Sequence, residues 1–212
     1  RLQTLCERGR ANGVQCELID RERLLELEPH CAGLKAIHVP EAGIVNYGQV
    51  CRRLQALIEE RSSRVVTGAL VTKLRETDSE VIVQTTAGDF HAQYAINCAG
   101  LHSDRVAALA GLKPSVQILP FRGEYYELHH RAEHLCRSLI YPVPDPQFPF
   151  LGVHLTKMIG GGIHCGPNAV LALAREGYRK SDINLRDLAE ALCYPGFLRL
   201  AARHWRMGAE EM

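Results

Sequence analysis

Two short segments of the sequence combine residues that could do chemistry. The first is the stretch Asn97-Cys98-Ala99-Gly100, which leads from an apolar strand toward a helix that begins near Ser103. Small residues at such a turn let the backbone approach a ligand closely. The amino terminus of the helix also offers free N–H groups and the positive end of a dipole, which suit a phosphate. A plain strand-to-helix turn without a ligand is the competing interpretation.

The second segment is the predicted strand from Leu151 to Met158, which carries His154 and Thr156. Residues two apart in a strand point to the same side, so His154 and Thr156 share one face and Lys157 belongs to the other. Such a pair could bind a carboxylate or take the proton from a hydroxyl group, which suits a histidine near neutral pH. The alternative for His154 is a structural histidine whose hydrogen bonds are satisfied within the fold.

Composition and charge exclude several classes of protein. The 212 residues are 46% hydrophobic and 23% charged, which suits a globular domain with a buried core. Lys and Arg number 25 and Asp and Glu number 24, so the net charge of +1 removes the electrostatic argument for a nucleic-acid or polybasic membrane binder. No apolar run approaches the roughly 18 residues that span a bilayer, and no secretory signal pattern opens the sequence.

The eight cysteines are scattered, and no pair has the C-x-x-C spacing of a structural zinc site. Disulfide frameworks belong to short secreted chains, so we expect mostly reduced, buried or half-buried thiols in a cytosolic protein. His129, His130 and His134 cluster in a charged segment. A metal site would need converging carboxylates or thiols as well, and we expect none here.

The first half of the chain alternates helical and extended patterns. Asp20 is a good N-cap for a helix that ends before Pro29, and Asn46 can cap the next helix. The predicted helices are 2–9, 21–28 and 47–60, and the predicted strands are 14–19 and 33–39.

A run of strands follows, and their short connections favour antiparallel pairing. The predicted strands are 64–74, 80–86 and 90–98. The last one ends as an apolar run into Ala99-Gly100, which is typical of a parallel sheet edge. We expect Ser103 to cap a short helix that ends near Ala110.

The second half reads mostly as strand. Gly160, Gly161 and Gly162 should close a hairpin, and four prolines between 142 and 149 should form a stiff loop. The predicted strands are 116–119, 123–128, 138–143, 151–158 and 163–166, and the predicted helices are 181–192 and 195–207.

The order of these elements resembles a known class of flavoprotein. A three-stranded meander leading into Ala99-Gly100, after Val45-Asn46-Tyr47-Gly48, is similar to the glutathione-reductase-type FAD-binding fold as the D-amino-acid oxidase class uses it. Five further blocks, taken together, resemble the L-2-hydroxyglutarate dehydrogenase (oxidase) family over nearly the whole chain. These blocks are 120–126, 139–146, 150–156, 166–172 and 175–178.

The resemblance implies a mixed α/β (α+β) fold with two parts. One part is an FAD/NAD(P)-binding-type fold that lacks its first βαβ unit, since no G-x-G-x-x-G turn follows a strand near Arg1. The other is an antiparallel-sheet substrate domain. We expect the central fragment of an enzyme, with 1–48 as partial substrate domain and connections, 49–112 as partial FAD domain, 113–180 as the substrate sheet and 181–212 as truncated helices.

The resemblance also assigns roles to individual residues. Val71, on a strand, matches a backbone contact to the adenine of FAD, although a core valine is the local alternative. Cys98, Ala99 and Gly100 match the close-approach turn beside the dinucleotide, with Cys98 expected to be small, apolar and buried. On the substrate sheet, His154 is the catalytic candidate. The substrate-binding candidates are Arg122, Tyr141, Thr156 and Asn168, with a sheet-edge surface arginine as the alternative for Arg122.

The activity that the resemblance implies is hydride transfer from C2 of L-2-hydroxyglutarate to FAD, giving 2-oxoglutarate. The partners would be this dicarboxylate and a quinone or oxygen as electron acceptor, without nucleic acid. We expect a cytoplasmic location, while peripheral membrane association and a dimer are left open.

Three alternatives stand beside this activity. The first is a related FAD enzyme acting on glycerol 3-phosphate or a secondary amine, and the second is an inactive truncated remnant. The third is an interaction module, for which we predict an exposed apolar face around helix 47–60 and strand end 94–98.

Overall fold

The structure, a computed structural model, describes residues 1–144 and 152–210. Leu151, the first residue of a predicted strand, and Pro146 and Pro149 of the predicted proline loop lie outside the described residues. The helices are α1 (Leu2–Ala11), α2 (Arg21–Leu27), α3 (Tyr47–Glu60), α4 (Ser103–Leu109), α5 (Leu185–Leu192) and α6 (Pro195–Glu210). A short 3₁₀ helix covers Gly100–His102 and another covers His130–Leu135.

The strands form three sheets, which confirms the predicted mixed α/β class with antiparallel sheets. The strands are β1 (Glu17–Asp20), β2 (Lys35–His38), β3 (Val71–Glu76), β4 (Val81–Thr85), β5 (Gly88–Ala92), β6 (Phe121–Glu127), β7 (Leu139–Ile140), β8 (His154–Lys157) and β9 (Ile163–Leu171). The sheet orders are β1-β2, β3-β4-β5 and β6-β9-β8-β7.

The chain divides into two compact units. One unit comprises Arg1–Arg53 and Gly123–Ala169, and the other comprises Leu54–Arg122 and Val170–Met212.

The first unit begins with α1, β1, α2 and β2, and local signals explain these elements. The carboxylate of Asp20 accepts the N–H of Arg23 at 2.9 Å and so caps α2 as predicted. Cys6, Ile19 and Leu24 form the buried core of this segment. Gly9 allows α1 to approach β1, because a Cβ there would lie 3.0 Å from Sγ of Cys16.

The four-stranded sheet of the first unit is antiparallel. Strands β8 and β9 form the predicted hairpin, in which the N–H of Met158 donates to the carbonyl of Gly162 at 3.0 Å. Strand β6 runs antiparallel to β9, since Leu128 donates to Ile163 at one end and Ala172 donates to Pro120 at the other.

The second unit contains the predicted antiparallel meander β3-β4-β5. The predicted third strand was wrong in its second half, because β5 ends at Ala92 and residues 94–99 lie outside regular strands. Extended pairing needs a neighbour, and no parallel strand pairs with this segment among the described residues. Tyr94 and Ile96 are 84% and 88% exposed as a result.

The apolar side of α3 is exposed together with this segment. Val50, Leu54 and Ile58 are exposed, and α3 has no buried residue. The face predicted around residues 47–60 and 94–98 is therefore exposed in the structure.

Three other predicted elements differ from the structure because side chains redirect the backbone. Ser103 does not cap α4; its hydroxyl donates to the carbonyl of Gly100 at 2.9 Å. Residues 116–119 are not a strand, since the N–H of Ile118 donates to Asp104 at 3.1 Å. Helix α5 begins after Asn184, whose side chain accepts two N–H groups of its first turn.

Candidate functional site

The imidazole of His154 is the most buried of the predicted site side chains. The residue is 6% exposed, and its Nδ1 lies 3.0 Å from the carbonyl oxygen of Gly152. A carbonyl can only accept, so Nδ1 carries the hydrogen of this bond. In the neutral ring, Nε2 then carries the lone pair and can act as a base.

Tyr141 and His154 are brought together by strand register. Leu139 pairs with Thr156 and Ile140 with Leu155, so Tyr141 comes next to His154 on the adjacent strand. The two rings are stacked, with centroids 4.5 Å apart and planes inclined by 25°. Two residues that the sequence singled out separately are therefore in contact.

The same face of the sheet carries Thr156, one of the predicted substrate-binding residues. His154 lies opposite Gly166 and Thr156 opposite His164, and directly opposed residues in an antiparallel pair share a face. Thr156 is half-buried on this face, as the alternation of the strand predicted. Asn168 is half-buried in β9, two residues beyond Gly166.

Tyr125 also lies on this face, although the sequence pattern did not single it out as a site residue. Its ring centroid lies 6.0 Å from that of His154 and 6.1 Å from that of His164. The ring crosses Gly166, where a Cβ would lie 2.8 Å from Cδ1 of Tyr125. The pairing of β6 with β9 creates this contact, and alternation along one strand does not reveal that register.

Arg122 belongs to the second unit and is held by backbone carbonyls. Its Nη1 donates to the carbonyl of Gly177 at 3.2 Å and to that of Arg179 at 3.1 Å. This half-buried guanidinium shapes the segment after β9. Its role toward a substrate carboxylate stays a prediction.

The bend from Asn97 to Ser103 is organised by hydrogen bonds of its own. The amide of Asn97 donates to the carbonyl of Ser103 at 2.8 Å and its oxygen accepts the N–H of Ala99 at 3.1 Å. Gly100 has φ +54°, and a Cβ built there meets no atom within 4 Å. The bend therefore presents an open backbone surface, which suits the close approach of a dinucleotide.

One expectation about the bend was wrong. Cys98 was predicted to be buried, but it is exposed together with Ala99 and Gly100. The cause is the early end of β5, which leaves no described strand against this residue. The other seven cysteines are free thiols like Cys98.

A buried network of charges lies behind the bend. The guanidinium of Arg175 donates both to the carbonyl of Leu101, at 2.7 Å, and through two nitrogens to the carboxylate of Asp104. Burial by itself would raise the pKa of Asp104. The hydrogen bonds from Arg175 and from the N–H groups of Ile118 and Arg105 outweigh burial and lower that pKa to about 2.

Two acidic residues of α5 extend the network. Asp187 accepts the N–H of Arg175 at 2.8 Å and a hydrogen bond from Arg105, while Glu190 accepts from Arg105 at 2.7 Å. Burial by itself would raise the pKa of Asp187, but its hydrogen bonds from Arg175 and Arg105 outweigh burial and lower that pKa. The hydrogen bond from Arg105 also lowers the pKa of Glu190.

Val71 opens β3 and pairs with Thr85, just before an irregularity in the register. Its side chain is half-buried. This degree of burial does not distinguish the predicted backbone contact to an adenine from a plain core position. Over residues 1–144 and 152–210, no three His, Cys, Asp or Glu side chains converge as metal ligands. Nor does any helix in those ranges have the length and apolarity to cross a bilayer.

A family model described as FAD dependent oxidoreductase matches residues 1–208. The chain belongs to this family. The family description implies FAD as the cofactor. The open backbone at Gly100 fits the close approach of a dinucleotide, and its contact with FAD stays a prediction.

The chain is similar to curated and solved proteins. It is 46% identical to the L-2-hydroxyglutarate dehydrogenase of Indibacter alkaliphilus and 44% identical to the mitochondrial L-2-hydroxyglutarate dehydrogenase of Caenorhabditis elegans. Both matches cover the whole of this chain. They cover only 53% and 50% of the relatives, so the chain spans about half the length of these proteins. A glycine oxidase structure from Bacillus cereus has a TM-score of 0.61 at 14% identity, covering 95% of the chain and 50% of that structure. This likeness confirms the fold that the sequence predicted.

Proposed function

We propose that this chain is part of an enzyme that uses FAD to oxidise L-2-hydroxyglutarate to 2-oxoglutarate. The observation that carries the proposal is the match over the whole chain, at 46% identity, with a protein named L-2-hydroxyglutarate dehydrogenase. The buried His154, on which the ring of Tyr141 is stacked, supports it, because it gives the sheet a base suited to a hydroxyl proton.

His154 is the proposed base. With its Nδ1 hydrogen bonded to the carbonyl of Gly152, the lone pair of Nε2 is available to the 2-hydroxyl group of the substrate. Tyr141 holds the ring by stacking and Tyr125 approaches it edge-on, so the imidazole has little freedom to turn. A fixed base places its lone pair where the proton leaves, which favours the reaction through orientation.

The substrate is a dicarboxylate, and its two carboxylates call for at least two hydrogen-bond donors. Thr156 and Asn168 supply a hydroxyl and an amide from β8 and β9, and the ring of Tyr141 is the proposed wall of the site. Arg122 is the proposed cation for one carboxylate, because a guanidinium can bind a carboxylate through two hydrogen bonds.

Residues 98–100 and Val71 are the proposed contacts to the dinucleotide. FAD, when bound, supplies the acceptor for the hydride that leaves C2 of the substrate. The exposed backbone of Ala99 and Gly100 allows close approach to a pyrophosphate, and Val71 offers its backbone on β3. The electron acceptor that follows is a quinone or oxygen, and peripheral membrane association and a dimer belong to the same proposal.

The experiment is anaerobic reduction of the flavin in the full-length protein that contains this chain. Loss of the flavin absorbance is followed by stopped flow after mixing with L-2-hydroxyglutarate, D-2-hydroxyglutarate, glycerol 3-phosphate or sarcosine. We expect reduction by the L enantiomer at a rate at least about 100-fold above the others, since a site built for one stereochemistry orients only one C2–H bond toward the flavin.

The variant His154→Gln should lower this rate by about 10²–10⁴-fold, the usual contribution of a general base. His91→Gln is the matched control, because His91 lies exposed on β5 and pairs only with Glu80 in the described structure. Faster reduction by glycerol 3-phosphate or sarcosine would establish a sister activity instead. Protein that purifies without flavin and takes up none would indicate an inactive remnant.

A further inference from the structure

We propose that Arg175 is a positioning residue that fixes the backbone of the bend 97–103 for the dinucleotide. The inference rests on the proposed function, because that function places the bend beside FAD. Arg175 touches neither substrate nor cofactor in this proposal. It acts through the carbonyl of Leu101 and the carboxylate of Asp104.

The contacts of Arg175 join the two ends of the bend's helical turn. Nη1 donates to the carbonyl of Leu101, one residue after Gly100, at 2.7 Å. The same guanidinium binds both oxygens of Asp104, the second residue of α4, with Nη2 at 2.8 Å from Oδ2. One rigid planar group thus holds the position of the backbone just after Gly100 and that of the following helix.

Burial makes this attachment strong. The side chain of Arg175 is 3% exposed and that of Asp104 is 12% exposed. A charge-assisted bond in such surroundings is weakly screened, whereas an exposed pair contributes little. The contact between His102 and Glu176 is of the exposed kind, because their side chains are 38% and 66% exposed.

The backbone of Arg175 is also held in place by a hydrogen bond. Its own N–H donates to Asp187 at 2.8 Å, and Asp187 lies in the first turn of α5, which Asn184 caps. Asp104 is held in the same way, since it accepts the N–H of Ile118 at 3.1 Å. Both partners of the pair therefore have fixed positions before any ligand arrives.

Lysine cannot reproduce these contacts. Its single ammonium can pair with Asp104 but lacks the planar fork that reaches two carboxylate oxygens and the carbonyl of Leu101 together. The internal bonds of Asn97 and Ser103 would persist, so the bend would keep its shape but lose its attachment to the buried network.

The test uses the full-length protein with the variants Arg175→Lys and Arg175→Met. Arg186→Met is the matched control, because Arg186 pairs with Glu190 of the same network but is 77% exposed. Hydrogen exchange is measured for the amides of Ala99 and His102, which are both hydrogen bonded in the bend. The dissociation constant for FAD is measured by flavin fluorescence, and kcat is measured at saturating FAD.

For Arg175→Lys we expect exchange at Ala99 and His102 to be about tenfold faster and the dissociation constant for FAD to rise about tenfold. In Arg175→Lys, hydrogen exchange in β4 and kcat at saturating FAD should stay within about twofold of wild type. The dissociation constant of Arg186→Met for FAD should also stay within about twofold of the wild-type value. A purely structural role would raise exchange in β4 as well and leave the affinity unchanged.

Wild-type exchange at Ala99 and His102 in Arg175→Lys would overturn the proposal, as would faster exchange without weaker FAD binding. If Arg175→Met fails to fold, Arg175→Lys decides the question. A wild-type protein with no affinity for FAD would refute the proposed function and the cofactor side of this inference. The exchange rates would still show separately whether Arg175 holds the bend.

Discussion

The ring of Tyr141 lies stacked on the imidazole of His154, with centroids 4.5 Å apart, although 13 positions separate them in the sequence. The register of β7 against β8 produces this contact. Tyr141 is 52% exposed while His154 is 6% exposed, so the tyrosine covers the histidine.

The stacking of Tyr141 can be separated from the chemistry of its hydroxyl group. Tyr141→Phe keeps the ring, so we expect flavin reduction by L-2-hydroxyglutarate within about threefold of wild type. Tyr141→Ala removes a stack of about 0.5–1.5 kcal/mol and exposes the imidazole, so kcat/KM should fall about tenfold or more. Equal losses in both variants would show that the phenol oxygen, not the stack, matters.

Gly166 is required by the close approach of β6. A Cβ at this position would lie 2.8 Å from the carbonyl oxygen of Glu124, which is backbone and cannot turn away. We expect Gly166→Ala to lower the free energy of unfolding by about 1–3 kcal/mol, as overpacking does. Gly160→Ala is the control, because a Cβ there meets nothing within 4 Å. Urea unfolding curves with equal midpoints for the two variants would contradict this expectation.

Asp104 should contribute to stability in a defined pH window. Its folded pKa is about 2, below the ordinary value of 3.8, so its contribution is present above pH 4 and is lost as the pH falls toward 2. The difference corresponds to about 2 kcal/mol at neutral pH. Asp187 and Glu190, whose pKa values are also lowered, lose their contributions with falling pH as well.

The variant Asp104→Asn should therefore unfold at lower urea concentration at pH 7 and show a flatter dependence on pH between 4 and 2. Chemical unfolding at several pH values measures both effects. Asp78→Asn is the control, since Asp78 lies exposed in the turn between β3 and β4. An Asp104→Asn protein that loses stability with acid as steeply as wild type would rule out this linkage.

Local sequence signals predicted those elements whose stabilising contacts are local. Helix α3 has the predicted limits, and Asn46 accepts the N–H of Gln49 at 3.1 Å as a cap should. Strand β5 was predicted too long because alternation shows which side chains could face a core, but not whether another strand is there to pair. Cys98 was misplaced for the same reason.

In the candidate site too, local sequence patterns predicted which residues share a face of one strand but not the contacts between elements. Alternation along β8 placed His154 and Thr156 on one face, which the structure confirms. The contact of Tyr125 with His154 depends on the register between β6 and β9, and the attachment of Leu101 to Arg175 spans 74 positions in the sequence. No periodicity within one element contains that information.

The thiols of Cys6 and Cys16 lie 3.7 Å apart and are hydrogen bonded. Burial, followed by the hydrogen bond between its thiol and that of Cys6, raises the pKa of Cys16. Because the thiolate is the reacting species, we expect iodoacetamide at pH 8 to modify the exposed Cys51 and Cys193 well before Cys16. Mass spectrometry of timed samples measures the order. The variant Cys6→Ala should speed the reaction of Cys16, and an unchanged rate would contradict the assigned cause.

The exposed apolar residues of the second unit should make the isolated 212-residue chain self-associate. Leu54, Tyr94 and Ile96 are 54%, 84% and 88% exposed, and such side chains gain free energy when they leave water. Sedimentation velocity at rising concentration should show larger species for wild type and fewer for Leu54→Glu combined with Ile96→Glu. The control pair Thr72→Glu and Gln55→Glu adds the same charge at exposed polar positions of β3 and α3. If the control suppresses association equally, net charge rather than apolar burial is the cause, and a monomeric wild-type chain would contradict the prediction.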